Sequence, residues 1–556
     1  MILRRLYLYL VSAAALGTLA VGLSALGYTA LLFAFKDPNA EFSRGALAGA
    51  TAATLVALVV WAVHFWFARR FAHRDPAERA SAVRRLYVYW ACLVMSIGGT
   101  FALGVAITNL VRPYVDCSGA VEKQYICTSG NTWLTAAQAG WVAAVLLGFW
   151  ALHYWIAARD RAAVGEQGRS ASLRRWYMYP ALLTGLLWML IGASGVIELA
   201  WLQIMNSSNA SSQYRFLGDS IGQFGAGLIL WGFQALVISS RHIEDDRKST
   251  LRALEGFIAV AISMVFALVG ASQILYYGLA RALGVNNPGN VGNDVLAALA
   301  QPASVVLVYG VAWLLIRRRL SRDTGTHEVD RQAGVRRLYT NLAALVSMAV
   351  LAIGAGGVLW SLAEQIEAPL IGVHASDWKD PMSLWVTLFI VGAVVWVAHW
   401  RHAPWPGDRH SLSRRLYVWA ALLASVLGVL GSGIALLNVV LQQVFSANPR
   451  LNSTDNLDFG HYLAVLSVAL VVGFYHWRVL RADAASRPAK HGAEVAAVIV
   501  AAPAAVDAVI TTPTLAATPG KRYVLHLVDA SEDDLHQALA NLPPAASYRL
   551  TPEPEP

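Results

Sequence analysis

Arg4-Arg5-Leu6-Tyr7-Leu8-Tyr9 sets a basic pair and two tyrosines directly before a long apolar run. The arrangement recurs as Arg84-Arg85-Leu86-Tyr87-Val88-Tyr89, Arg174-Arg175-Trp176-Tyr177-Met178-Tyr179, Arg336-Arg337-Leu338-Tyr339 and Arg414-Arg415-Leu416-Tyr417, with Leu251-Arg252-Ala253-Leu254 as a degenerate copy. The second arginine falls at 5, 85, 175, 252, 337 and 415, so the spacing is 77 to 90 residues. Self-similarity at a near-constant period is the signature of a repeat architecture.

Each period holds two apolar runs long enough to cross a bilayer, which takes roughly 20 residues. The first of each pair, A, starts at an Arg-Arg head and spans 6–34, 87–111, 177–204, 253–280, 339–363 and 417–445; the second, B, spans 45–67, 135–157, 222–240, 298–316, 383–400 and 460–480. Of the 556 residues 57% are hydrophobic and only 14% charged, far more apolar than a soluble chain of this size. Period-2 alternation is absent, so the spans read as helices. The expected fold is all-α: a polytopic membrane helical bundle of about 12 transmembrane helices, built from six tandem two-helix parallel repeats at about 1–72, 80–162, 170–243, 248–322, 332–403 and 411–482. A transmembrane domain at 1–482 is followed by an Ala/Pro-rich linker at 483–520 and a small cytoplasmic α/β segment at 521–556. In that βαβ-like tail Arg522–Val528 reads as a strand, Ser531–Asp534 as the cap of a helix running to Asn541, and Ala546–Leu550 as a second strand.

Most of the 43 Lys and Arg lie in the B-to-A loops, at the N-terminus and just after the twelfth run, which places both termini in the cytoplasm. The run from Leu6 to Phe35 is longer than a signal-peptide core and its head recurs internally, so it reads as the first membrane helix. The net charge of +9 is spread over short loops facing lipid, which argues against nucleic-acid binding. Cys117 and Cys127 share one outer loop and can form a disulfide in an oxidising compartment, while Cys92 reads as a small core residue inside a helix.

The head arginines Arg4, Arg5, Arg84, Arg85, Arg174, Arg175, Arg336, Arg337, Arg414 and Arg415 read as headgroup anchors that register each helix at the cytoplasmic face. Specific binding of anionic lipid headgroups between repeats is the functional alternative. Glycines gathered in the outer halves of the A helices read as a close-packing face.

Near the inner end of B a second motif recurs: Trp61-Ala-Val-His64, Trp150-Ala-Leu-His153, Trp396-Val-Ala-His399 and Phe474-Tyr-His476-Trp477, with Gln234 and Ala312 replacing the histidine in the third and fourth repeats. His64, His153, His399 and His476 at one depth read as interfacial residues; ligation of a b-type haem or a metal, or contact with a proton or substrate, are the sharper alternatives. Glu198 and Glu364 lie toward the outer ends of their A helices, as helix-end residues or as a polar mouth of a pathway. The sequence has no Walker A loop, GxSxG or HExxH and no metal-ligand spacing, so neither an enzyme, a metal site nor an obligatory cofactor is expected.

The Arg-Arg-Leu-Tyr heads and Trp-x-x-His ends, over residues 1 to about 480, resemble an uncharacterised family of bacterial multi-pass membrane proteins, a domain of unknown function in tandem. The resemblance implies a bacterial cytoplasmic membrane location. The fourth repeat departs at both motifs. The expected function is that of a non-enzymatic scaffold or accessory subunit meeting a protein partner through its C-terminal tail; the alternatives are a transporter or channel for a small or lipidic solute, and a haem-binding electron carrier.

Overall fold

The computed structural model describes residues 2–115, 131–166, 168–205, 216–239, 246–247, 249–290, 294–324, 330–370, 377–400, 411–445 and 458–485, and three strands beyond them. Among the described residues twelve helices are long and apolar enough to cross a membrane, as a multi-pass membrane protein requires. They are α1 (Ile2–Ala34), α2 (Arg44–Arg74), α3 (Ala82–Val115), α4 (Thr132–Val164), α5 (Arg169–Ile204) and α6 (Leu217–Gly232, continued by a π-helical stretch over Phe233–Ser239). Then follow α7 (Thr250–Ala282), α8 (Ala300–Thr324), α9 (Asp330–Leu370), α10 (Lys379–Trp400), α11 (Leu412–Phe445) and α12 (Asp458–Ala485).

Odd and even helices play different parts. Each odd helix up to α9 pairs with the even helix after it, and each packs along the next odd helix in the chain; α11 and α12 meet where Gly428 faces Ala469 and Gly473 faces Ser425. Each even helix also lies against the odd helix of the hairpin before its own: α4 on α1, α6 on α3, α8 on α5 and α10 on α7. For α12 on α9 the contact is made by Gly460, whose amide donates to Glu367 at 3.2 Å. The odd helices therefore form a continuous layer, and the even helices fill the grooves along it.

Close approach of backbones makes this possible where association cannot draw on the hydrophobic effect. A Cβ on Gly185 of α5 would lie 2.5 Å from the Trp231 amide nitrogen of α6, and one on Gly222 of α6 would lie 2.5 Å from the Gly104 carbonyl of α3. The first crossing is within a hairpin and the second is between hairpins.

At the ends bearing the Arg-Arg heads, Tyr9, Tyr87, Tyr89, Tyr177, Tyr179, Met178 and Cys92 form one buried cluster shared by the first three hairpins. Cys92 is a free, fully buried thiol within it. A second cluster around Leu186, Ala259, Val260, Tyr309 and Ile316 joins α5, α7 and α8.

Residues Trp477–Pro556 form a separate compact unit. Its strands β1 (Val495–Val500), β2 (Tyr523–Leu525) and β3 (Ser547–Pro552) make an antiparallel sheet with β1 in the middle, so β1 comes from the segment read as a linker. The helix expected at 531–541, and Cys117 and Cys127, lie outside the described residues.

Candidate functional site

The recurrent histidines meet the recurrent head tyrosines. The Nε2 atoms of His64, His153, His399 and His476 lie 3.4, 3.1, 3.4 and 2.9 Å from the hydroxyls of Tyr7, Tyr87, Tyr339 and Tyr417, each the first tyrosine of the same hairpin's head. In the third hairpin Gln234 stands in for histidine, and its Nε2 donates to the Tyr177 hydroxyl at 2.9 Å. Each histidine Nδ1 sits 2.7–2.8 Å from the carbonyl oxygen four residues back on its own helix, that of Val60, Phe149, Val395 or Val472. A carbonyl only accepts, so Nδ1 carries a proton; in the tautomer this selects, Nε2 accepts from the tyrosine. Both ring nitrogens are thereby engaged.

The tryptophan of the same motif reaches the next hairpin. Trp61 Nε1 donates to the Tyr87 hydroxyl at 3.2 Å, Trp150 to Tyr177 at 3.0 Å and Trp396 to Tyr417 at 2.9 Å. The hydroxyls of Tyr87 and Tyr417 thus accept from an indole of the preceding hairpin and donate to an imidazole of their own. The degenerate fourth hairpin has Leu254 at the tyrosine position and Ala312 at the histidine position, so it lacks this pair.

One turn closer to the head ends lies a charged layer. Arg5 Nε donates to Glu78 at 2.7 Å, and the Tyr9 hydroxyl donates to the same carboxylate at 3.5 Å. Tyr89 donates to Glu166, which Arg85 approaches at 3.9 Å. Asp246 receives Arg175 at 2.7 Å and the Tyr179 hydroxyl at 3.2 Å. In each of the first three hairpins, then, the second arginine and second tyrosine of the head share one carboxylate from the loop that follows the even helix. The next hairpin adds its own first arginine: Arg84 donates to the Tyr9 hydroxyl at 3.2 Å, and Arg174 pairs with Glu166 at 2.8 Å. Arg84 also pairs with Asp160 at 2.7 Å and Arg174 with Asp246 at 3.0 Å.

The head arginines therefore have different surroundings. Arg84, Arg85 and Arg174 are buried on carboxylates, and Arg5, Arg175, Arg336, Arg337 and Arg414 are half-buried. Arg4 and Arg415 are exposed. The reason for burial is in the loops: counting only Lys and Arg there passes over Glu78, Asp160, Glu166 and Asp246, which neutralise the heads. Those acids are the site residues that the sequence reading missed, as is the bonding of the head tyrosines to them; an acid within about eight residues before a head, as Glu78, Glu166 and Asp246 are, was the available signal.

A third set of ties joins each odd helix from α1 to α9 to the even helix of the following hairpin, or to the turn leading into it, at the opposite ends. Trp141 Nε1 donates to the Leu23 carbonyl at 2.8 Å, Arg112 pairs with Asp219 at 3.2 Å and Trp201 Nε1 donates to the Leu296 carbonyl at 2.9 Å. Tyr276 donates to Asp380, and Glu367 accepts from the Gly460 amide. Glu198 and Glu364 are both half-buried, on α5 and α9 respectively. No group of three or more His, Cys, Asp or Glu fit to hold a metal occurs among the described residues.

No curated protein and no solved structure matches the chain. Residues 5–126 and 337–461 match the model of a domain of unknown function, DUF5671. Both stretches begin at the second arginine of a head, and over them the chain is similar to that family.

Proposed function

We propose that this is a non-enzymatic membrane scaffold, in which six tandem two-helix repeats form a rigid platform in a bacterial cytoplasmic membrane and the C-terminal unit, on the cytoplasmic side, engages a protein partner. The observation that carries the reading is the Trp-to-Tyr-to-His chain of hydrogen bonds that crosses from hairpin 1 to hairpin 2 and again from hairpin 5 to hairpin 6. Residues that recur for this purpose are joints. Buried polar side chains that are fully bonded to one another fix a single arrangement of the helices around them. The same geometry favours a structural role for the histidines over haem or metal ligation, since a ligand would have to displace either a tyrosine or a backbone carbonyl. A folded unit joined to a rigid membrane platform holds whatever it binds at high local concentration near the bilayer.

The reading is tested by deleting residues 486–556 and comparing the proteins that co-purify in mild detergent. A partner present with the full chain and lost from the truncated one is the expected result; an identical set from both would refute the tail's role.

A further inference from the structure

A cavity of about 330 Å³ opens where the first two hairpins meet at their head ends, lined by Arg69, His73, Arg79, Arg84, Trp155, Arg159 and Asp160 with alanine and isoleucine between them. Its volume lies within the roughly 300–1,000 Å³ typical of small-molecule sites. The lining is strongly cationic. Asp160, its single carboxylate, is already bound to Arg84 at 2.7 Å. Arg69, Arg79 and Arg159 have no carboxylate within ion-pair distance among the described residues, whereas Arg5, Arg84, Arg85, Arg174 and Arg175 of the neighbouring charged layer all do.

The positions of these three arginines are held. Arg159 and Arg69 lie over the Trp155 ring, at 4.7 and 5.8 Å from its centroid. Arg79 is tied back by its Nε, which donates to the Ala72 carbonyl at 2.7 Å, and its Nη2 lies 3.0 Å from His73 Nδ1. A guanidinium held by stacking or by one backbone bond keeps its remaining N–H groups for a ligand, and its planar fork suits the oxygens of a phosphate. The site also sits at the right depth: the apolar run of α2 ends in Arg69-Arg70 and that of α4 in Arg159, the level at which headgroups meet a spanning helix.

We propose that this cavity binds the phosphate of an anionic ligand, a phospholipid headgroup or a soluble phosphate, clamped between Arg69 and Arg79 of the first hairpin and its following loop and Arg159 of the second. Because the cavity is shared by two hairpins, the bound anion bridges the seam between them and neutralises charge that the protein leaves uncompensated. The inference is independent of the scaffold reading, for it requires neither a protein partner nor the C-terminal unit.

Native mass spectrometry of the full-length protein in mild detergent tests it, with phosphatidylglycerol, phosphatidylcholine or inorganic phosphate added. The parent protein should retain phosphatidylglycerol in preference to phosphatidylcholine. R69Q/R159Q, which touches no ion pair among the described residues, should weaken that binding about tenfold or more, equivalent to at least ~1.4 kcal/mol. The charge-matched control R44Q/R481Q should bind as the parent does. Binding that survives millimolar inorganic phosphate identifies the lipid as the source of the phosphate; displacement by inorganic phosphate identifies a soluble one. Equal retention of the two lipids, undiminished binding by R69Q/R159Q, or an equal loss in the control would each overturn the proposal.

Discussion

The Tyr417 hydroxyl lies 2.9 Å from His476 Nε2 on its own hairpin and 2.9 Å from the indole nitrogen of Trp396 on the hairpin before. Tyr417→Phe removes both bonds and leaves a buried imidazole and an indole without their partner, a loss of about 1–3 kcal/mol. Unfolding in mild detergent reads the loss directly. A double-mutant cycle with His476→Ala should give a coupling of about 0.6–1.7 kcal/mol, the range for hydrogen bonds between membrane helices; strict additivity would mean that the bond contributes nothing.

Substitution at His153 should depend on the replacement. Gln234 performs the histidine's part in the third hairpin, bonding Tyr177 at 2.9 Å. His153→Gln is expected to keep most of the stability and His153→Ala to lose about 1–3 kcal/mol. Equal losses would show that filling the space matters and the bond to Tyr87 does not.

Asp246 is fully buried and accepts from Arg174, Arg175 and Tyr179. Asp246→Asn leaves buried positive charge uncompensated, and removing one partner of such an arrangement costs about 3–5 kcal/mol. The variant should fall sharply in thermal stability or in the yield of monodisperse protein, while Glu41→Gln, in an exposed pair with Arg44, should change neither.

Two glycines on odd helices separate close packing from mere helix composition. A methyl at Gly185 meets the backbone of Trp231, whereas one at Gly17 has nothing within 4 Å. Gly185→Ala should destabilise by about 1–3 kcal/mol through overpacking. Gly17→Ala should be neutral or slightly stabilising, and a comparable loss at both sites would contradict the crossing described for α5 and α6.

Purified from cells supplied with iron, the protein should lack a Soret band and a reduced α-band, because both nitrogens of His64, His153, His399 and His476 are already hydrogen-bonded. An absorption spectrum of oxidised and reduced samples decides this. A band lost in a His64/His153 variant would make the histidines ligands.

The twelve spanning helices were legible in the sequence because apolar length is local and needs no knowledge of neighbours. The Trp and His of the even helices were legible as a recurring motif, but what they bond was not: the tyrosine that joins them sits 57 to 66 residues from the histidine and 21 to 27 from the tryptophan. Periodicity reports that a residue recurs; it does not report which other recurring residue it touches. The heads read, from their arginines and tyrosines, as groups facing lipid headgroups. That reading treats all ten arginines alike, and it has no means of seeing that Glu78, Glu166 and Asp246 fold back over Arg5, Arg85 and Arg175 while Arg4 and Arg415 stay exposed.

Each odd helix from α1 to α9 receives, besides its own partner, the even helix of the hairpin that follows it, so each of these seams waits for the next hairpin to leave the ribosome. At a synthesis rate of roughly 5–20 residues per second, one period of the chain takes on the order of 4–18 s to emerge. During that interval the groove of the newest odd helix faces lipid, and the buried Arg and Tyr of its head lack the carboxylate that will later cover them. Growth in one direction, each pair closing the last before exposing its own edge, makes the order of membrane insertion the order of assembly, and leaves one unfinished flank at a time for a chaperone or insertase to guard.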